Sequence, residues 1–238
     1  MARLGRYFMA DQVLHVIQCG NNRQAIFFED ENYALYHAWL AEAARDHGCA
    51  IHAYVLMTNH VHLLVTPKKK ESLPRMMQSL GRRYVRAVNK LYRRSGTLWE
   101  GRYRAAPIDG DSHLFSCCRY IELNPVRAAM VNHPRDYPWS SYRANAMGEA
   151  DTLISEHALF KRLGRAAAER QGAYRALFRK ALDKNFIDDL RSATNGGWAL
   201  GDNRFQQEIA EAVGRRAAPR SKGRPRNSDK DKRQLNLL

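Results

Sequence analysis

The sequence predicts an α+β fold: a ferredoxin-like split βαβ with a four-stranded antiparallel sheet, helices on one face, and a C-terminal helical extension. Three observations predict it. Short apolar, strand-like runs lie at 13–19, 51–57 and 60–66. Helical periodicities fill the gaps on either side of the second and third runs, and only Thr58 and Asn59 separate those two.

The first run ends at Gly20, Asn21 and Asn22, which tolerate turn conformations. Tyr33, Tyr36, Leu40, Ala43 and Ala44 then recur at helical spacing, with Gly48 placed as a C-terminal cap. Asn59 suits the tight turn of a hairpin between 51–57 and 60–66. Ser72 and Pro74 open a second helix that continues through Met76, Leu80, Tyr84, Val88 and Leu91 until Gly96. A fourth strand lies within 98–108. Asp111 or Ser112 then caps a helix carrying Leu114, Cys117, Cys118 and Ile121, which Pro125 should end or kink. Beyond 148 the pattern turns helical and irregular, with candidate helices over 153–164, 166–190 and 205–213. The expected organisation is a domain over 1–148, a helical module over 149–214, and a basic, disordered tail over 215–238.

Charge bounds the partner. The chain has 238 residues, 39 Lys and Arg against 24 Asp and Glu, and a formal net charge of +15, so a polyanion is the natural ligand. No stretch approaches the roughly 18 apolar residues of a membrane span, and 1–6 lack the apolar core of a secretory signal. A cytoplasmic, nucleoid-associated protein is expected. Cys19, Cys49, Cys117 and Cys118 contain no pair spaced to clamp zinc and read as small buried hydrophobes.

Chemistry centres on His60 and His62. On a strand, alternate residues share a face, so the two imidazoles converge and could hold a metal between them. A catalytic metal needs at least one more ligand and an open position. Tyr120 and Asn124, four apart on the helix near 120, fall on one helical face. Glu122 points elsewhere on that helix and reads as a surface charge, while His15 and His52 read as sheet residues without ligand duty.

The segment 51–64, with Met57, Thr58, Asn59, His60, Val61 and His62 at its heart, followed by Tyr120, Ile121, Glu122, Leu123, Asn124, Pro125, Val126 and Arg127, resembles the REP-associated tyrosine transposases. These are relatives of the single-tyrosine HUH-endonuclease transposases. The resemblance covers about the first 150 residues, and Thr194 to Trp198 with Gly223, Arg224 and Pro225 also resemble longer members. It implies the HUH nuclease fold and cleavage and rejoining of single-stranded DNA at repeated palindromic hairpins. It also implies Tyr120 as the nucleophile forming a 5′-phosphotyrosine, and His60, His62 and Asn124 as ligands of Mg²⁺ or Mn²⁺. The ligand types alone leave zinc open. A tyrosine hydroxyl ordinarily titrates near 10, so a cation that neutralises the scissile phosphate suits this chemistry. Two other readings remain: a regulator that binds such hairpins without cutting, and a metal-dependent nuclease using water.

Arg82, Arg83, Arg86 and Lys90 interleave with Tyr84 and Tyr92, and Arg102 and Arg104 flank Tyr103, as single-stranded DNA would require. Lys222, Gly223, Arg224, Pro225 and Arg226 resemble a minor-groove-binding core inside a tail with nine Lys and Arg against Asp229 and Asp231. The protein is expected to act as a monomer or a homodimer.

Overall fold

A computed structural model describes residues 9–219. Four strands form one sheet in the order β2-β3-β1-β4, with every neighbouring pair antiparallel. In chain order they are β1 (Leu14–Cys19), β2 (Cys49–Met57), β3 (His60–Pro67) and β4 (Arg104–Pro107). Helices α1 (Asp30–His47) and α2 (Ser72–Leu91) fall between them, and α3 (Gly110–Glu122) follows. This is the expected split βαβ. Gly48 caps α1 at φ 65°, ψ 55°, a left-handed conformation that glycine adopts without a Cβ clash.

One expectation needs correction, because helices cover both faces of the sheet. Leu14, Val16, Tyr54, Leu56, Leu63 and Val65 pack against α1 and α2 in a first core. Ala53, Val55, Leu64, Ala106 and Ile108 meet α3 in a second. The strands carry the reason. β2 reads CAIHAYVLM and lies buried along nearly its whole length, an almost continuous apolar run rather than the alternation of a sheet with one wet face.

After α3 come α4 (Asn124–Arg127), α5 (Ala158–Lys161), α6 (Ala167–Leu177), α7 (Lys184–Gly196) and α8 (Asn203–Val213). Pro125 sits in the first turn of α4, where its missing N–H is not needed. The helix expected over 166–190 is two helices, because Asp183 accepts from the Asn185 backbone N–H and starts α7 afresh. The helix expected over 153–164 is reduced to α5, with His157 as its cap. Tyr174, Leu190, Ala193 and Leu200 join the second core, so these later helices share a hydrophobic interior with the sheet. The Leu200 N–H also donates to the Pro107 carbonyl at 2.8 Å, tying the extension to the end of β4. Lys222, Arg224 and Arg226 lie outside the described residues.

Candidate active site

The β2–β3 hairpin sets the histidines. Met57 pairs with His60, so Thr58 and Asn59 form a two-residue turn. Neither adopts a left-handed φ, and the turn is held from outside instead. The Thr58 carbonyl accepts from Ile26 N–H at 2.8 Å and Phe27 N–H at 3.2 Å, and the Asn59 carbonyl from Gly20 N–H at 2.8 Å. With Val61, Leu63 and Val65 committed to the first core, strand alternation sends His60 and His62 to the α3 face. The register opposes His62 to Ile17 and His60 to Cys19 on β1. His15 therefore lies diagonally beside His62, its ring stacked at 5.0 Å between centroids.

Tyr120 meets them from α3. Its ring stands edge-on to His62 at 5.6 Å and to His15 at 5.8 Å. The Arg127 guanidinium lies 4.1 Å over the same ring, and one of its N–H groups donates to the Tyr120 carbonyl at 2.9 Å. Tyr120 is buried, as an ordinary core tyrosine would be, but its neighbours are two imidazoles and a cation.

The imidazoles are neutral and fixed in orientation. Asn59 donates its amide to the Arg23 carbonyl at 3.1 Å, which turns its oxygen toward His60 Nδ1 at 2.7 Å. His60 therefore carries its proton on Nδ1 and leaves the Nε2 lone pair bare. Burial holds the His60 pKa down at about 4, with Arg127 adding to the effect. Burial also holds His62 well below the usual histidine range, helped by His15, His60, Arg127 and Arg191. Neutral imidazoles are what a metal requires. Among the described residues no three His, Cys, Asp or Glu side chains cluster as metal ligands. The Asn124 amide nitrogen, just past the end of α3, is buried without a hydrogen-bond partner.

Several residues depart from the sequence expectation. Glu122 is not a surface charge. It is fully buried and accepts from Ser141 Oγ at 2.6 Å, Asn145 Nδ2 at 2.9 Å and Tyr174 Oη at 2.8 Å. Burial raises its pKa to about 7 against the opposing pull of those donors. A glutamate two residues after a site tyrosine gives no sign of this, because its partners come from distant segments. His15 is a sheet residue as expected, yet it hydrogen-bonds His62. Arg127, seven residues after Tyr120, could have been found from helical spacing.

The expected DNA-binding residues divide between the layers. Arg82, Arg83, Arg86 and Lys90 are exposed on α2, on the far side of the sheet from Tyr120, and Arg83 is paired with Glu42 over the Trp39 ring. Arg104 pairs across β1 with Ile17, which pairs in turn with His62, so Arg104 lies in the same cross-sheet row as the site. Arg102 and Arg104 line a small recess with Ile17 and Cys19, the residue opposite His60.

The buried histidines make stability depend on pH. Burial lowers His15 to about 3 and His52 to about 4, whereas unfolded histidine titrates near 6.5. Below 6.5 the unfolded chain takes up protons that the folded chain refuses. Their contribution is thus intact above that pH and lost as pH falls toward 4. Glu122 works in the opposite direction: its stabilising effect is full below 4.5 and lost as pH rises through about 7. The histidines outnumber it, so thermal melts should be flat above pH 7 and drop steeply between 6 and 4. A midpoint unchanged across that range would contradict the buried neutral state.

Residues 9–124 match the family model described as Transposase IS200 like. This stretch belongs to the IS200-like transposase family. The matched stretch of the transposase domain runs from the residues before β1 through the histidines and Tyr120 to Asn124. The chain is similar in fold to a solved structure of a REP-associated tyrosine transposase bound to a REP hairpin, with a TM-score of 0.55 and 18% identity. That match covers 66% of this chain and 93% of the other. A second solved structure, a candidate transposase from Deinococcus radiodurans R1, gives a TM-score of 0.35 at 21% identity over 51% of this chain and 96% of the other. No curated protein matches the sequence. Among the described residues, no helix is long and apolar enough to cross a membrane.

Proposed function

We propose that this transposase domain cuts and rejoins single-stranded DNA at folded palindromic repeats, with Tyr120 as the nucleophile. The observation that carries the reading is the Tyr120 ring packed edge-on at 5.6 Å against His62, beside an imidazole pair whose Nδ1 atoms are both engaged. The Tyr120 oxygen attacks the scissile phosphorus. The bond from phosphorus to the 3′ oxygen breaks as the new one forms, and the phenolic proton ends on the released 3′-hydroxyl. The product is a 5′-phosphotyrosine, and attack by a 3′-hydroxyl reverses the step without a nucleotide cofactor.

Each neighbour has a place in that step. Arg127 holds the tyrosine from both its ring and its carbonyl, limiting the conformations from which attack would start. Arg104 and Arg102, beside the His60 row, suit contacts to flanking phosphates. His60, His62 and Asn124 would hold a divalent cation, Mg²⁺ or Mn²⁺, which supplies neutralisation of the charge on the non-bridging phosphate oxygens. A REP-type hairpin as substrate is supported by the REP hairpin bound in the similar solved structure.

Strand polarity tests the reading. With Mn²⁺ present, hairpin oligonucleotides labelled at the 3′ end should yield a protein-linked band on denaturing gels, and those labelled at the 5′ end a free shorter strand. Cleavage that leaves both fragments free would assign the attack to water. Binding without cleavage, on hairpins carrying their natural flanks, would make the protein a regulator.

A further inference from the structure

His62 is reached by a line of hydrogen bonds that begins in α7. The Thr194 hydroxyl donates to the Leu190 carbonyl at 2.8 Å, one turn back in the same helix. Its oxygen lies 2.7 Å from His15 Nδ1, and His15 Nε2 lies 2.9 Å from His62 Nδ1. A hydroxyl has one proton, and with that proton on the Leu190 carbonyl its oxygen can only accept from His15. His15 is 1% exposed and His62 3%, so each ring is neutral and carries a single N–H. A proton on His15 Nδ1 leaves Nε2 as an acceptor, which in turn requires the proton of His62 on Nδ1. The reverse order would strand the Leu190 carbonyl's second bond, so the forward order satisfies more groups.

We propose that Thr194 and His15 are positioning residues that fix His62 in the tautomer with a bare Nε2, and so make the helical extension part of the cation site. His15 lies within 9–124 but Thr194 does not, since α7 begins 60 residues after that stretch ends. The histidine pair then has two separate supports. His60 is set by Asn59 from the hairpin turn, and His62 by Thr194 through His15. Hydrogen-bonded partners of this kind orient a ligand ring and raise its basicity, and losing one typically weakens metal binding about 10- to 100-fold.

The inference rests on His60 and His62 being cation ligands, and the experiment separates the two. Long-range ¹H–¹⁵N spectra of the metal-free full chain read the tautomer directly, and calorimetric titration with Mn²⁺ reads the affinity. The wild type should show His62 protonated on Nδ1. Thr194→Val should lose that signature and bind Mn²⁺ about 10-fold more weakly, while Thr194→Ser, which keeps the hydroxyl, restores both. Wild-type His62 protonated on Nε2 overturns the relay, whatever the metal does. So does a Thr194→Val protein with unchanged tautomer and affinity. The expected tautomers with no Mn²⁺ binding by the wild type would instead remove the cation reading, and with it the purpose assigned to the relay.

Discussion

His60→Ala and His62→Ala are each expected to abolish measurable Mn²⁺ binding in calorimetry and to lower strand cleavage by about 1,000-fold, the equivalent of roughly 4 kcal/mol of transition-state stabilisation. The expectation follows from how the two rings are presented. Each has one nitrogen occupied by a protein partner, Asn59 for His60 and His15 for His62, so each offers a single lone pair, and losing either ring breaks the ligand set. The two variants should differ in stability. His60 is half-buried at the start of β3, and its removal leaves the folded chain nearly intact. His62 is buried, and its removal leaves His15 Nε2 without a partner and a gap beside Tyr120, costing about 2 kcal/mol more. Thermal melts beside the titrations therefore separate loss of ligand from loss of fold. Full cleavage by either variant would contradict the site.

Glu122→Ala should destabilise the protein by about 3–5 kcal/mol, because it strands donors that Ser141, Asn145 and Tyr174 aim at one carboxyl group in the interior. That carboxyl joins the end of α3 to two segments that follow it, the start of a π-helical turn over Arg143–Met147 with Ser141 before it, and α6, so it clamps the helix bearing Tyr120 to the extension. Glu122→Gln keeps the shape and an acceptor for Ser141, and the Tyr174 hydroxyl can rotate to accept from the new amide. It should cost under about 1.5 kcal/mol. It should also remove the opposing pH term, so that the acid-side fall in stability becomes steeper. Urea unfolding at pH 7.5 and pH 5 measures both effects. Equal stability of the alanine variant and the wild type would show that the cluster is dispensable.

The hairpin, the helix periods and the Gly48 cap were legible because each depends on residues close in sequence. His60, His62 and Tyr120 were legible for a similar reason, since strand alternation and a local motif announce them. The second helical layer was harder to see. Its signal is the absence of alternation in β2, which a short apolar run does not distinguish from ordinary strand burial. Glu122, His15 and Thr194 were hidden because their meaning lies in partners 19 to 179 residues away. The division of the basic residues between two layers was equally unreadable, since clustering in sequence placed Arg82 and Arg104 together while the sheet lies between α2 and the site.

The most direct test is to map the covalent bond. Protein reacted with a 3′-labelled hairpin is digested with trypsin, which cuts after Arg119 and Arg127 and isolates Tyr120 as the only tyrosine of the peptide 120–127. Mass spectrometry should find the nucleotide phosphate on that peptide at Tyr120, and Tyr120→Phe should bind the hairpin yet form no adduct. An adduct on another residue, or undiminished cleavage by Tyr120→Phe, would contradict the assignment of the nucleophile.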